Sequence, residues 1–176
     1  MTHIPGKLVE GVFKRVLVQD LTPDLIAQLA AVGVDLATPV EPEYPRTAWY
    51  LAIEITAKAL FPGDPLPTQL RKLGAHIIQS LQSRHIIKGP WLSMARLMGP
   101  RRALKQAMDF TDRSPVKLTL TERAKSEFAI TVDDTEQADF LAGLLEAAIA
   151  MLGGKNPSVA LEATRDDVSH FLATWR

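Results

Sequence analysis

The hydrophobic periodicity changes along this chain, and the change constrains the fold more than any other feature of the sequence. Up to Pro115 the apolar residues recur mostly every three or four positions, which is typical of helices. Beyond Pro115 they recur at every second position in four short runs, and one strongly apolar helical stretch over residues 135–152 separates the second run from the third. Residues 116–175 therefore predict strand, strand, helix, strand, strand.

The predicted fold class is α+β. Residues 1–113 form a mainly helical part, which packs on a four-stranded antiparallel sheet built by residues 114–176 as hairpin, helix and hairpin. No repeat or linker marks a second unit, so we predict a single domain over residues 1–176. The helix over residues 135–152 is apolar around much of its circumference and must be covered twice. One cover is the sheet, and the other is the N-terminal helices, a ligand cavity or a second copy of the chain.

Several local elements follow from the first part of the sequence. Residues 7–18 mix alternation with β-branched side chains, and we interpret them as a strand. Thr22 and Pro23 are typical of a helix start, as the N-cap and the first helical residue. Residues 35–44 contain prolines and no periodicity, which indicates a loop, and residues 68–88 predict a long helix.

Composition excludes several classes of protein. Twenty basic residues balance twenty acidic ones, which argues against a dedicated nucleic-acid-binding domain and leaves self-association unopposed by charge. The chain has no cysteine, which removes disulfides, thiolate catalysis and cysteine-ligated metals. The N-terminus does not resemble a secretory signal, and no apolar run is long enough to span a bilayer. We therefore expect a cytoplasmic protein.

Motifs that carry familiar reactions are absent from the sequence. There is no glycine-rich phosphate loop, no Gly-x-Ser-x-Gly elbow and no His-Glu-x-x-His pair. Glu54, Asp133 and Asp134 offer carboxylates, but the two aspartates stand at a predicted helix start, where N-capping accounts for them. We therefore predict no catalytic residues and no enzyme.

Two histidines on the long predicted helix are candidate ligands of haem or of a lone metal. His76 and His85 are separated by two and a half helical turns, so they lie on nearly opposite faces and cannot share one metal. We interpret both as ordinary boundary or surface histidines and predict no metal site.

Basic residues cluster at the start of a later predicted helix. Arg101 and Arg102, with Arg96 and Lys105 close in sequence, could bind an anion together with the helix N-terminus. A solvated basic face is the simpler interpretation. We keep an anion site at Arg101 and Arg102 as a secondary prediction.

Six apolar side chains of the helices predict a pocket between the helices and the sheet. They are Trp49, Ile53, Ile77, Leu81, Phe140 and Leu144. Core packing is the alternative role of the tryptophan, because large aromatic residues at helical spacing usually pack in the core.

A succession of short motifs carries a family resemblance over nearly the whole chain. The motifs are Gly11-Val12-Phe13, Tyr44-Pro45 with Trp49, Phe61-Pro62-Gly63, Leu73-Gly74, Met98-Gly99-Pro100-Arg101-Arg102-Ala103-Leu104, Phe140-Leu141-Ala142-Gly143-Leu144-Leu145-Glu146 and Thr174-Trp175. Their order resembles the domain-of-unknown-function family 2378, known mainly as a large paralogous set in myxobacteria. That family has no established activity, so the resemblance implies no catalytic residue.

The order of helices and strands resembles a superfamily that contains haem nitric-oxide-binding, vinyl-reductase-like and TRAPP-type domains. This resemblance implies binding of haem, a small apolar molecule, an acyl chain or a protein partner between the helices and the sheet. The haem-binding branch holds the haem propionates with a Tyr-x-Ser-x-Arg motif, which this sequence does not contain. We therefore expect no haem and no other cofactor.

The sequence thus predicts a non-enzymatic regulatory or signalling module that binds a small apolar ligand or a protein partner, which could be a second copy of the chain in a homodimer. One alternative is a homo-oligomeric scaffold without a ligand. A second is an enzyme that acts on an anionic substrate through Arg101 and Arg102. Neither nucleic acid nor a membrane span is expected.

Overall fold

The computed structural model describes residues 3–84, 90–111, 117–134 and 136–176, with the backbone alone at residues 90–92 and 107–111. Along the chain the elements are β1 (His3–Pro5), α1 (Gly6–Val9), a π-helix (Glu10–Val16), α2 (Pro23–Ala31), β2 (Glu43–Pro45), α3 (Arg46–Leu60), α4 (Leu66–Ser83), α5 (Pro90–Thr111), β3 (Leu118–Ala124), β4 (Glu127–Val132), α6 (Ala138–Met151), β5 (Ser158–Arg165) and β6 (Val168–Thr174).

The main sheet has four antiparallel strands in the order β3-β4-β6-β5. β3 and β4 form one hairpin, β5 and β6 form the other, and α6 connects them. In the centre of the sheet Ile130 lies opposite Leu120 on one side and Phe171 on the other. The predicted α+β class, with its hairpin, helix and hairpin, is confirmed.

α6 is covered on two faces. Phe140 belongs to a buried cluster formed with the N-terminal helices. Leu145 and Ile149 belong to a second cluster formed with Phe128 and Phe171 of the sheet. The sequence left three candidates for the second cover of this helix, and the structure places the N-terminal helices there, with α4 packed directly against α6.

The prediction of a strand over residues 7–18 is wrong. The chain forms α1 and the π-helix there, and the amide of Leu17 donates to the carbonyl of Val12 at 2.8 Å. Val9, Phe13 and Val16 are buried at the three- and four-residue spacing of a helix. That spacing was present in the sequence, but the β-branched residues and partial alternation obscured it.

Two further predictions need correction at their boundaries. Residues 35–44 are not entirely a loop, because β2 begins at Glu43 and pairs with β1, which places Ile4 opposite Tyr44. The helix predicted over residues 68–88 begins earlier and is described as Leu66–Ser83, with residues 85–89 outside the described part of the chain. The predicted N-cap is confirmed, since Thr22 Oγ1 accepts from the amide of Leu25 at 3.2 Å.

Candidate ligand-binding site

A cavity of about 220 Å³ lies between the N-terminal helices and α6. Ten described residues form its walls, of which eight are apolar: Ile4, Leu8, Val12, Trp49, Ile77, Asp134, Gln137, Phe140, Leu141 and Leu144. Most of these residues are buried, whereas Leu8 is 38% exposed. Leu8 therefore marks the side on which the cavity meets solvent.

Each wall of the cavity follows from local structure. Val12 comes from the π-helix, a rare element that is often found at functional sites. Trp49 comes from the buried face of α3, and its ring contacts Phe13 edge to face at 6.1 Å between centroids. Phe140 and Leu144 lie one turn apart on α6 and face α4, which contributes Ile77.

Four of the six side chains predicted to form the pocket line this cavity. They are Trp49, Ile77, Phe140 and Leu144. Ile53 is fully buried in the same core cluster, and Leu81 packs against that cluster, but neither belongs to the cavity walls. The structure thus assigns Ile53 and Leu81 to core packing.

Asp134 is a buried acidic residue among the cavity walls. Arg46 Nη2 donates to Asp134 Oδ2 at 3.0 Å and to the carbonyl of Asp133 at 3.0 Å. The hydroxyl of Tyr50 donates to Asp134 Oδ1 at 3.1 Å, and the guanidinium of Arg46 lies 5.6 Å from the centre of the Tyr50 ring. The carboxylate is therefore paired on the side that faces α3.

Burial and charge fix the protonation of both partners on α3. Burial raises the pKa of Tyr50, and the negative charge of Asp134 raises it further. Burial alone would lower the pKa of Arg46, but the charge and hydrogen bond of Asp134 outweigh that effect and raise it. At neutral pH Tyr50 is therefore a neutral hydrogen-bond donor and Arg46 a cation.

The interpretation of Asp133 and Asp134 as N-caps of the following helix is wrong. The N-cap of α6 is Gln137. Asp133 Oδ1 accepts from the backbone amide of Lys117 at 2.7 Å, at the start of the first hairpin. Asp134 is bound to Arg46, which stands 88 residues earlier, so no local pattern in the sequence could have revealed the pair.

Gln137 is a polar residue of the cavity that the sequence did not single out. It is only 3% exposed, and its side chain makes no capping hydrogen bond although it occupies the N-cap position. Within the described part of the chain, Gln137 Nε2 is buried without a hydrogen-bond partner. A buried donor left unpaired costs on the order of 1–3 kcal/mol, so this amide requires an explanation.

The candidate metal and haem ligands lie elsewhere or outside the described residues. His76 Nε2 lies 3.1 Å from Asp20 Oδ2, and its ring contacts Phe61 at 6.1 Å. His85 lies outside the described residues. In the part of the chain that the structure describes, no histidine lines the cavity, and no three His, Asp or Glu side chains group as metal ligands.

Haem does not fit these walls. The cavity is smaller than the roughly 300–1,000 Å³ of pockets for drug-sized molecules, and a porphyrin is at least as large as such a molecule. The absence of a cofactor stays a prediction.

The proposed anion site is occupied in part by a carboxylate of the chain itself. Arg101 Nε lies 2.5 Å from Glu122 Oε1, and Lys105 pairs with the other oxygen of Glu122. The hydrogen bonds from Lys105 and Arg101 lower the pKa of Glu122. Arg102 is exposed. The simpler interpretation was a solvated basic face, and the structure adds that two of its cations pair with Glu122.

Solved structures of H-NOX proteins share this fold. An H-NOX protein from S. oneidensis in the Fe(II)NO ligation state has a TM-score of 0.63 at 14% identity and covers 98% of this chain and 99% of its own. An oxygen-binding H-NOX domain related to soluble guanylate cyclases has a TM-score of 0.62 at 14% identity, with 98% and 95% covered. An H-NOX mutant from K. algicida reaches 0.58 at 9% identity, with 98% and 97% covered. The resemblance to haem nitric-oxide-binding domains is confirmed as a likeness of fold.

Comparison of sequences gives the family. No curated protein matches the sequence significantly. No helix within the described residues is both long and apolar enough to cross a membrane. The profile of the family described as "Protein of unknown function (DUF2378)" matches residues 2–176, and the chain belongs to that family.

Proposed function

We propose that this protein binds a small, largely apolar molecule in the cavity between the N-terminal helices and α6, and that it acts as a non-enzymatic regulatory or signalling module. The observation that carries this proposal is the cavity itself. The cavity opens to solvent beside Leu8 and has eight apolar walls. An apolar ligand bound there would remove apolar surface from water, which is favourable.

The cavity volume limits the size of that occupant. An engineered apolar cavity of about 150 Å³ accommodates benzene. By proportion, 220 Å³ holds a molecule of about nine non-hydrogen atoms. The similar solved structures include one described as in the Fe(II)NO ligation state and one described as oxygen-binding, which supports ligand binding as a use of this fold.

The position of the cavity supports a role in regulation. A ligand there contacts the π-helix, α3, α4 and α6 together. The opposite face of α6 packs on the sheet, so a shift of α6 on binding reaches the sheet surface. Such a shift requires that the ligand bind one arrangement of α6 more tightly than the other. Action in the cytoplasm and assembly as a homodimer belong to the same proposal.

Native mass spectrometry of the gently purified protein tests the proposal. We expect added mass of small-molecule size on each subunit, lost on denaturation. The variant Leu144→Trp fills the cavity and is expected to carry no added mass. The matched control is Leu161→Trp, which places the same side chain on an exposed position of β5.

A different set of results would contradict the proposal. Wild-type protein without added mass, and without a thermal shift in the presence of small aromatic or aliphatic probes, would favour the scaffold without a ligand. The observed subunit count would then show whether the partner of the protein is a second copy.

A further inference from the structure

Gln137 occupies a position where its side-chain amide does not stabilise the helix that it precedes. It is the N-cap of α6, yet no hydrogen bond joins its side chain to the helix. Ser, Thr, Asp and Asn are the residues that cap helices well, so glutamine gains nothing there as a cap. Within the described residues, its Nε2 is buried and unpaired while the residue lines the cavity. A donor held in this way points to an acceptor supplied by a ligand.

Asp134 limits the charge of that ligand. Asp134 lines the same cavity, but its carboxylate oxygens are bound by Arg46 and Tyr50, which are not among the cavity walls. An anionic ligand would therefore find no cation among the described residues that line the cavity, and it would lose its hydration as well. A cation could not accept a hydrogen bond from Gln137.

We propose that the ligand carries a neutral acceptor oxygen, such as the carbonyl of a ketone, ester or amide, which accepts a hydrogen bond from Gln137 Nε2, while its apolar body fills the space lined by Trp49, Ile77, Phe140 and Leu144. The inference rests on the proposed function, because it names the chemical class of the molecule that the cavity binds. The polar group lies at the end of the cavity where α6 begins, and the apolar body extends toward α4.

Three probes of nearly identical shape test this assignment: acetophenone, α-methylstyrene and benzoate. They have the same number of non-hydrogen atoms and present a neutral carbonyl, a hydrocarbon and a carboxylate, respectively. By calorimetry at neutral pH, we expect acetophenone to bind wild-type protein about three- to tenfold more tightly than α-methylstyrene, which is the range of one net hydrogen bond. We expect benzoate to bind most weakly.

The variant Gln137→Leu should abolish the preference for acetophenone while it retains α-methylstyrene. Gln82→Leu makes the same chemical change at an exposed position of α4 and should keep the preference. A second measurement uses wild-type protein alone, so it is independent of how the variants fold. The side-chain amide protons of Gln137, assigned in wild-type protein by triple-resonance NMR, should shift with acetophenone more than with α-methylstyrene.

The outcomes separate this inference from the proposed function. Equal binding of acetophenone and α-methylstyrene, or a preference that survives Gln137→Leu, would overturn the role of Gln137 and leave the apolar site standing. Tightest binding of benzoate would overturn the assignment of a neutral acceptor. Failure of all three probes to bind would overturn the proposed function itself.

Discussion

Gly74 of α4 and Gly143 of α6 meet where the two helices cross, and neither position has room for a Cβ atom. A Cβ built on Gly74 would lie 2.2 Å from the carbonyl oxygen of Phe140, and one built on Gly143 would lie 1.9 Å from the carbonyl oxygen of Arg71. The crossing also positions two walls of the cavity, because Ile77 follows Gly74 by one turn and Leu144 adjoins Gly143.

Gly143→Ala should therefore destabilise the protein. Alanine favours a helix over glycine by about 1 kcal/mol, but the clash with the backbone of α4 requires the helices to separate, and overpacking typically costs about 1–3 kcal/mol or more. We expect a net loss in the free energy of unfolding, measured by urea denaturation. Gly11→Ala is the control, since nothing lies within 4 Å of its Cβ position. Equal stability of Gly143→Ala and wild type would show that the crossing tolerates a wider spacing.

Local patterns in the sequence were sufficient for most of the fold. The two hairpins follow from alternation, and the start of α2 follows from Thr22 and Pro23. The start of the chain could not be predicted in the same way. Val9, Val12, Phe13 and Val16 are spaced for a helix, but the β-branched side chains and the partial alternation of this segment are more typical of a strand.

The candidate site was predictable only in its apolar part. Helical spacing identified Trp49, Ile77, Phe140 and Leu144, because residues on the buried faces of packed helices converge on one interior. The roles of Asp134 and Gln137 depend on the tertiary structure and could not be predicted from local sequence. Near a helix start both resemble ordinary polar residues, and only the fold shows that one pairs with Arg46 and that the other has no described partner.

Asp134→Asn should cost about 3 kcal/mol of stability, because it removes the carboxylate charge that pairs with the largely buried guanidinium of Arg46. Chemical denaturation of the two proteins measures the difference. Glu54→Gln is the control, since it removes one partner of the exposed pair between Lys58 and Glu54, and such pairs contribute about 0.5 kcal/mol or less. Similar losses in both variants would contradict a special role for the buried pair.

Tyr50 should make stability fall at alkaline pH. Burial and then the charge of Asp134 raise its pKa above the ordinary 10.0, so the folded protein keeps the phenolic proton where the unfolded chain releases it. The stabilisation is fully present below pH 10 and is lost as the pH rises from there toward the folded pKa. In denaturation series across this range, Tyr50→Phe should show a shallower decline than wild type. A parallel decline would indicate that Tyr50 ionises equally in both states.

Gln137→Leu should stabilise the ligand-free protein by about 1 kcal/mol, because leucine replaces a buried donor that has no partner among the described residues. Urea denaturation measures the gain, and Gln82→Leu on the exposed face of α4 should change stability by less than about 0.5 kcal/mol. A loss of stability in Gln137→Leu would show that the amide is already satisfied without a ligand.

Measuring the stability of wild type and Gln137→Leu again with saturating acetophenone tests whether Gln137 binds the ligand. A ligand stabilises the folded protein in proportion to the logarithm of its concentration over its dissociation constant. Wild type should therefore gain more stability from acetophenone than Gln137→Leu does, and the advantage of the variant should shrink. If Gln137 binds the ligand, its amide lowers stability in the free protein and this loss shrinks when acetophenone is bound. If Gln137 were purely structural, the stability difference between wild type and Gln137→Leu would be the same with and without acetophenone.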